Sequence, residues 1–431
     1  MVGTFLAQFP IILLGFIAGA FVTRTLGPEG KGAIAMFAAN SQLLILFLGI
    51  SINTGLIYFT ANKEIPFKKL LGIAFCIVFC GSAIGAALIF SPLSSTDLVL
   101  PEGYRTINYK AYLFSSFAIT LFSSVLIGVF QGKKMYAVVN QISILNSIIN
   151  AIIFSFIFFT DYLDIFYNKI DNVFLYTLAL VILNTTLYLI QYLRKIKVLP
   201  SLRLSFRSDL VPFIRYIGLG YFSQAINFFN YRLDIWFINK YGTVDDLGLY
   251  TLAVNGSQFL LMVATPISTV IFSYFSSEKD RNAKRDLLTI FSRINSTALI
   301  IGVTVLYFIS EILITTIYGD EFLGAVPAFR IMIFATLFIG LSKTFSVYLA
   351  SENKIKYNLL ATSLAFSVTL IFNIILVPKY GIIGAAYTSL MAYFVLFMVV
   401  FYKSYKLTEG LSINCFLLTR NDITKTIKKL L

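Results

Sequence analysis

The chain has 431 residues, of which 58% are hydrophobic, and 34 Lys and Arg against 20 Asp and Glu give it a net charge of +14. A mean hydropathy of +0.84 excludes an ordinary soluble domain. The chain has no His and no Cys-x-x-Cys pair, so we expect neither a metal site nor a haem or other cofactor.

Hydrophobic runs of about 20 residues recur along the whole chain, and each is long enough to cross a hydrocarbon layer of ~30 Å. Twelve runs are predicted, at residues 5–23, 33–59, 70–91, 111–130, 137–160, 173–193, 211–239, 247–275, 287–309, 326–350, 357–377 and 382–402. This pattern predicts an all-α membrane protein with twelve transmembrane helices.

The second half of the chain repeats the first. Residues 24–60 correspond to residues 240–276, at an offset of 216. Six runs in each half give both halves the same orientation, which predicts two six-helix bundles related by a pseudo-two-fold axis along the membrane normal. The expected domains are a first bundle at 1–193, a basic cytoplasmic linker at 194–210, a second bundle at 211–402 and a basic cytoplasmic tail at 403–431.

The basic residues predict the orientation. With both termini in the cytoplasm, 22 of the 34 Lys and Arg fall in cytoplasmic loops and the tail, seven fall outside, and five lie in or beside the runs. This distribution follows the positive-inside rule. The net charge is thus explained by topology, and without a basic face on a soluble module no nucleic-acid partner is expected.

Charged side chains inside the runs are candidate functional residues, because they are costly at membrane depth. Three arginines lie close enough to run ends for their guanidinium groups to reach the lipid headgroups: Arg215, Arg293 and Arg330. Arg232, Asp234 and Lys343 lie deeper. We assign Arg232 and Lys343 to a substrate cavity, and Asp234, the single deep acid, is the candidate for ion coupling. Cations outnumber acids five to one in these runs, which suits a phosphate-bearing substrate.

Polar side chains form a stripe along the seventh run. It consists of Tyr216, Gly220, Ser223, Asn227, Asn230 and Asp234, at spacings of three or four residues. Arg232 lies about 160° away from this stripe, so Arg232 and Asp234 are poor partners for each other. One of the two faces is expected to line the cavity, with Asn227 among its residues, and the sequence leaves open which face it is.

Amides on the second and eighth runs occupy equivalent positions of the repeat. Gln42 corresponds to Gln258, and Asn53 corresponds to Thr269. We interpret Gln42, Asn53 and Gln258 as cavity residues, while hydrogen bonding between helices remains an equal alternative. Arg24, at the outer end of the first run, would extend a cationic path.

Four segments resemble the Wzx-type polysaccharide flippases, whose superfamily, the MOP superfamily, also holds MATE drug antiporters and MurJ lipid II flippases. They are Arg24-Thr-Leu-Gly-Pro-Glu-Gly-Lys-Gly32, Tyr318-Gly-Asp-Glu-Phe322, Ser351-Glu-Asn-Lys354 and Val377-Pro-Lys-Tyr-Gly-Ile-Ile-Gly-Ala-Ala386. The resemblance implies a MATE-like V-shaped pair of bundles in the bacterial cytoplasmic membrane. It also implies alternating-access transfer of undecaprenyl-diphosphate-linked oligosaccharides to the outer leaflet, with membrane lipids, and optionally a polysaccharide polymerase or ligase, as partners.

Three other functions are weighed against this one. A cation-coupled MATE-type drug exporter would need an acid for organic cations, and Asp234 is the single choice. A lipid II flippase is the second alternative, although only Arg24 matches the cations expected in the first helices of that family. A membrane glycosyltransferase or polymerase would need catalytic groups that the longest outer loop, Ser91–Lys110, does not offer, so no enzymatic activity is expected.

Overall fold

The computed structural model describes residues 2–92, 96, 99–162, 169–201, 209–262, 264, 265, 268, 272, 274, 275, 278, 280–408 and 415–417. Their regular secondary structure is helical, without a strand. The main helices of these ranges are α1 (Val2–Gly49), α2 (Ile52–Asn62), α3 (Phe67–Ile89), α4 (Ile107–Gly132), α5 (Tyr136–Tyr162), α6 (Lys169–Lys195), α7 (Val211–Tyr241), α8 (Val244–Ser257), α9 (Arg281–Tyr318), α10 (Val326–Ser351) and α11 (Ile355–Thr408). Eight helices of the described chain are long and apolar enough to cross a membrane.

Two of these helices are long enough to cross twice. α1 has 48 residues and α11 has 54, whereas one crossing needs about 20. Each is interrupted by one glycine with positive φ, at Gly27 (66°) and Gly381 (54°), a conformation that costs glycine little. Both glycines lie in the segments that resemble the flippases. The breaks separate the predicted first run from the second and the eleventh from the twelfth.

A second interruption lies within the predicted second run. Ile50 and Ser51, between α1 and α2, have φ values of 43° and 51°, which is unfavourable for a β-branched isoleucine. Ser51 Oγ donates a hydrogen bond of 3.0 Å to Gln224 Oε1 of α7. This bond anchors the break to the first part of α7.

The chain divides into two compact units, Met1–Ala225 and Ile226–Leu431. The boundary lies inside α7, whereas the sequence analysis begins the second bundle at residue 211. The first part of α7 packs on α2, since Tyr216 stacks on Tyr58 with ring centroids 3.8 Å apart. Phe213 is wholly buried and lies so close to α2 that a Cβ at Gly55 would be 2.6 Å from its ring. These contacts attach the beginning of α7 to the first unit. Of the predicted linker, residues 202–208 lie outside the described chain.

The described part of the tail docks on the second unit. Cys415 is fully buried, and Ser296 Oγ of α9 donates a 2.6 Å hydrogen bond to the carbonyl oxygen of Phe416. The ring of Phe416 lies 5.4 Å from that of Phe401 and 6.0 Å from that of Phe397, both in α11. The polar character of the tail sequence gave no sign of this contact. Residues 418–431 of the predicted basic tail lie outside the described chain.

Candidate substrate pocket in the second unit

A pocket of about 520 Å³ lies within the second unit. Its lining residues come from α7, the segment after α8, α10 and α11: Asn227, Tyr231, Thr265, Ser268, Phe272, Ile339, Ser342, Lys343, Ser346, Val347, Asn358, Ala361, Thr362 and Leu396. The volume lies within the usual range for sites that bind small molecules. The lining contains a lysine but no Asp or Glu among the described residues, so the pocket carries net positive charge.

Lys343 provides the charge of the pocket. The side chain leaves the middle of α10 and is half-buried, and its Nζ donates a 2.5 Å hydrogen bond to Thr265 Oγ1. The Thr265 hydroxyl in turn donates to the carbonyl oxygen of Leu261 at 2.8 Å. Because its hydrogen is used in this bond, the lone pairs of Thr265 Oγ1 are left to accept from Lys343. An ammonium has three donor hydrogens, so Lys343 retains donors for an anion in the pocket.

Neutral hydrogen-bonding groups surround this ammonium. Asn227 and Tyr231 lie one turn apart on α7, and both side chains are exposed. On α11, Asn358 Nδ2 donates to the carbonyl oxygen of Ser346 at 2.9 Å, while its buried Oδ1 has no partner in the described chain. Thr362 Oγ1 donates back to the Asn358 carbonyl at 2.9 Å and keeps its lone pairs as acceptors. One cation among amides and hydroxyls suits a phosphate group joined to a sugar.

The polar stripe of α7 divides between this pocket and the bundle interior. Asn227 lines the pocket, but Asn230 is buried, where its Nδ2 donates to the Thr362 carbonyl at 2.9 Å. Asp234 is 7% exposed and accepts hydrogen bonds from the Tyr250 hydroxyl and from the Ile235 amide. The stripe therefore serves two roles. Asn230 points about 60° away from Asn227, whereas Asp234 points within about 20° of Asn227 but lies two turns further along α7.

Arg232 and Asp234 do not form an ion pair with each other. The Tyr250 hydroxyl that donates to Asp234 also lies 3.3 Å from Ser389 Oγ, so the acid belongs to a hydrogen-bonded group shared by α7, α8 and α11. Arg232 is half-buried and makes no hydrogen bond or ion pair within the described chain. It is not among the residues that line the pocket.

The other proposed cavity residues do not line this pocket either. Arg24 is exposed and lies over the ring of Phe158, 5.9 Å from its centroid, and Gln42 is exposed on α1. Asn53 has a buried Oδ1 without a partner in the described chain, and a Cβ at Gly128 would lie 2.9 Å from it. Gln258 is exposed at the start of a short 3-10 turn that follows α8. Thr269, the counterpart of Asn53, lies outside the described residues.

Several lining residues were missed by the sequence analysis. Asn358 and Thr362 lie one turn apart near the start of the predicted eleventh run, and this spacing is a signal that could have identified them. Asn373, further along the same helix, is fully buried, and neither its oxygen nor its nitrogen has a partner in the described chain. Asn373 stands alone in an apolar run, so no spacing in the sequence indicates that it is buried with unpaired polar atoms.

The comparisons with known proteins agree with this architecture. No family model matches the chain. An uncharacterised membrane protein of Methanocaldococcus jannaschii is 23% identical over 411 residues, which cover 86% of this chain and 77% of the relative. An inward-facing multidrug-resistance MATE transporter of the MOP superfamily matches with a TM-score of 0.69 at 14% identity, over 93% of this chain and 96% of that chain.

A second solved structure gives the same result. The lipid II flippase MurJ, in an inward closed conformation, matches with a TM-score of 0.70 at 17% identity, over 100% of this chain and 96% of that chain. The chain has the fold of these two solved structures. This confirms the predicted all-α, MATE-like class with twelve transmembrane helices, and the chain is a multi-pass membrane protein. With identities below 20%, the likeness extends to the fold alone and not to a substrate.

Proposed function

We propose that the chain transfers undecaprenyl-diphosphate-linked oligosaccharide units from the inner to the outer leaflet of a bacterial cytoplasmic membrane by alternating access. The observation that carries this proposal is the Lys343 ammonium in a pocket without a lining carboxylate among the described residues. A diphosphate would accept hydrogen bonds from Lys343, and sugar hydroxyls would bind the neighbouring amides and hydroxyls. The lipid tail would remain in the bilayer, so the apolar chain would not have to pass through a polar site.

The polarity of the pocket favours this substrate over a cationic drug. Tyr231 and Phe272 offer aromatic faces in this pocket, but an organic cation bound there would lie beside the Lys343 ammonium, which repels it, with no lining carboxylate among the described residues to offset that repulsion. The described lining has Lys343 as its charged residue, and Asp234 is engaged by Tyr250 away from the pocket. A lipid II flippase has the same requirement for diphosphate and sugar, so it remains the second candidate.

We assign Asp234 to ion coupling. The carboxyl group is buried among α7, α8 and α11 and is held by the Tyr250 hydroxyl, so a cation that neutralised it would change the hydrogen bonds among these helices. Binding of Na⁺ or H⁺ to an acid in this position can bias a conformational equilibrium because the ion interacts differently with the two states. Arg232, Arg24, Gln42, Asn53 and Gln258 remain proposed contacts of the substrate path.

Transport by purified protein tests the proposal. Proteoliposomes would contain a fluorescent polyprenyl-diphosphate oligosaccharide, and a membrane-impermeant quencher would report the fraction that reaches the other leaflet. Lys343→Ala should slow transfer roughly 10- to 100-fold, because one charge-assisted hydrogen bond contributes about 1.5–3 kcal/mol. Lys343→Arg should retain most of the rate, and Lys379→Ala, at an exposed lysine outside the pocket, should have no effect.

Three substrates separate the candidate functions. Wild-type protein should transfer the oligosaccharide-bearing lipid faster than lipid II, and a cationic dye should not be transported. Preference for lipid II would select the second candidate. A Lys343→Ala variant that transfers all lipid substrates at the wild-type rate would exclude the pocket from the mechanism.

A further inference from the structure

A second pocket lies in the first unit and takes no part in the proposed transport. Its volume is about 760 Å³, and it is formed where α2, α4 and α6 end and where α3 begins. The lining residues are Phe59, Thr60, Ala61, Lys63, Ile65, Pro66, Phe67, Gly132, Lys133, Lys134, Met135, Lys195 and Ile196. The pocket thus has four lysines and no acid in its described lining, together with an apolar wall. The positive-inside pattern assigns these helix ends to the cytoplasmic surface.

The four lysines carry unneutralised charge. All four are exposed, and none forms an ion pair within the described chain. Glu64, which follows Lys63 in the chain, instead accepts a hydrogen bond from the Tyr58 hydroxyl at 3.2 Å. Three helix ends contribute about half a negative charge each, which leaves the pocket with a positive excess of more than two charges.

Two of the lysines lie at helix ends where the backbone is left-handed. Lys63 and Lys134 follow α2 and α4 and have φ values of 58° and 59°. Helices commonly end in this left-handed conformation, but with glycine, because a Cβ makes it costly. Glycine would be less strained at both positions, so the two lysines of this pocket can be replaced by glycine without a cost in backbone energy.

The wall of the pocket is apolar and closely packed. Phe59 and Ile65 are buried, and Lys133 Nζ lies 4.3 Å from the centroid of the Phe67 ring. Gly132 permits the approach of α4 to α2, since a Cβ there would lie 2.7 Å from the Thr60 Cβ. The Thr60 hydroxyl oxygen is buried and has no partner in the described chain. Such a site combines cations for a phosphate with an apolar surface for glycerol and the first acyl carbons.

We propose that this pocket binds the headgroup of an anionic phospholipid of the cytoplasmic leaflet, such as phosphatidylglycerol. The phosphodiester would lie among Lys63, Lys133, Lys134 and Lys195, and the glycerol backbone would contact the partly exposed ring of Phe67. This site is separate from the Lys343 pocket, and its assignment does not depend on the transported substrate. Basic pockets between membrane helices on the cytoplasmic side are a recurrent form of lipid recognition.

The left-handed lysines allow a test that does not damage the fold. Lys63→Gly/Lys134→Gly removes two charges at positions where glycine is the favoured residue, so the melting temperature should equal or exceed that of the wild type. The matched control is Lys197→Gly/Lys356→Gln. Lys197 is also left-handed (53°), and both residues are exposed and outside the pocket lining.

The measured quantity is the dissociation constant of fluorescent phosphatidylglycerol for the purified full chain in neutral detergent. The pocket variant should bind roughly tenfold or more weakly, because each lysine near an anionic lipid contributes a factor of about five. The control should change less than threefold, and phosphatidylcholine should not compete. Millimolar inorganic phosphate should leave the lipid bound, because the apolar wall contributes to affinity.

Several results would overturn the assignment. Equal weakening of phosphatidylglycerol binding in the pocket variant and in the control would show that the lipid is held by non-specific electrostatic attraction to the basic surface. Displacement by inorganic phosphate alone would make the site one for a free anion. Competition by polyprenyl diphosphate with no binding of phosphatidylglycerol would make it a docking site for the transported lipid. These results leave the Lys343 transport assay unaffected, so the two proposals fail separately.

Discussion

Lys343 of α10 and Thr265, beyond the end of α8, are joined by a 2.5 Å hydrogen bond from Nζ to Oγ1. The bond holds the ammonium of the substrate pocket in place before a ligand arrives. Preorganisation of this kind lowers the entropy that binding would otherwise lose.

A double-mutant cycle would measure this preorganisation. Thr265→Val removes the acceptor at nearly constant volume, and we expect it to weaken binding of the diphosphate lipid about two- to fivefold. In the Lys343→Ala background the same substitution should have little effect, because its partner is already absent. The interaction energy should be about 0.4–1 kcal/mol, the equivalent of this two- to fivefold change. Additive effects in a lipid-binding titration would show that Thr265 does not position Lys343.

Asp234 and Tyr250 provide a prediction about stability and coupling. Tyr250→Phe leaves the buried carboxylate without its hydroxyl donor and should cost about 1–3 kcal/mol, seen as a lower melting temperature. Asp234→Asn keeps an acceptor for Tyr250, so it should be the milder of the two changes. The same variant should lose the dependence of transport on an ion gradient, since the amide is already neutral and cannot take up H⁺ or Na⁺ as the carboxylate does. Gradient-dependent transport by Asp234→Asn would remove Asp234 from coupling.

Substitution by alanine should have opposite effects on stability at Gly384 of α11 and at Gly19 of α1. A Cβ at Gly384 would lie 2.3 Å from the carbonyl oxygen of Leu376, and backbone cannot move aside easily. Gly384→Ala should therefore destabilise the protein by about 2–3 kcal/mol. Gly19 of α1 has no atom within 4 Å of the position that an added Cβ would take, so Gly19→Ala should be neutral or stabilising by up to about 1 kcal/mol. Thermal unfolding in detergent would compare the two, and equal melting temperatures would contradict the close approach at Gly384.

Cys415 reports whether the tail is docked. Burial raises the pKa of its thiol to about 11, so at pH 8 the reactive thiolate is roughly 100-fold scarcer than for an ordinary cysteine. In a Cys76→Ser/Cys80→Ser background, maleimide labelling of Cys415 should be slow and should accelerate as the pH rises toward 11. Phe416→Ala, which removes the ring contacts with Phe397 and Phe401, should release the tail and speed labelling at pH 8. Rapid labelling of the parent protein would show that Cys415 is not protected.

The site could be predicted only in part. The deep charge of Lys343 and the polar stripe that contains Asn227 predict two cavity residues, and both line the pocket. Asn358 and Thr362 were not predicted, although they lie one turn apart near the start of the eleventh run. The stripe of α7 could not be divided from the sequence, since a helical projection gives the direction of a side chain but not its neighbour. Asn230 and Asp234 proved to face the interior through their contacts with Thr362 and Tyr250.

The sequence by itself determined that this is an all-α membrane protein with twelve crossings. Each crossing is encoded locally, in about 20 consecutive apolar residues, and glycines such as Gly27 and Gly381 mark the breaks between them. Only the tertiary structure decided that Lys343 meets Thr265, that the beginning of α7 belongs to the first unit, and that Phe416 packs on α11. These relationships join residues far apart in the chain, and they depend on how helix faces pack, which periodicity does not encode.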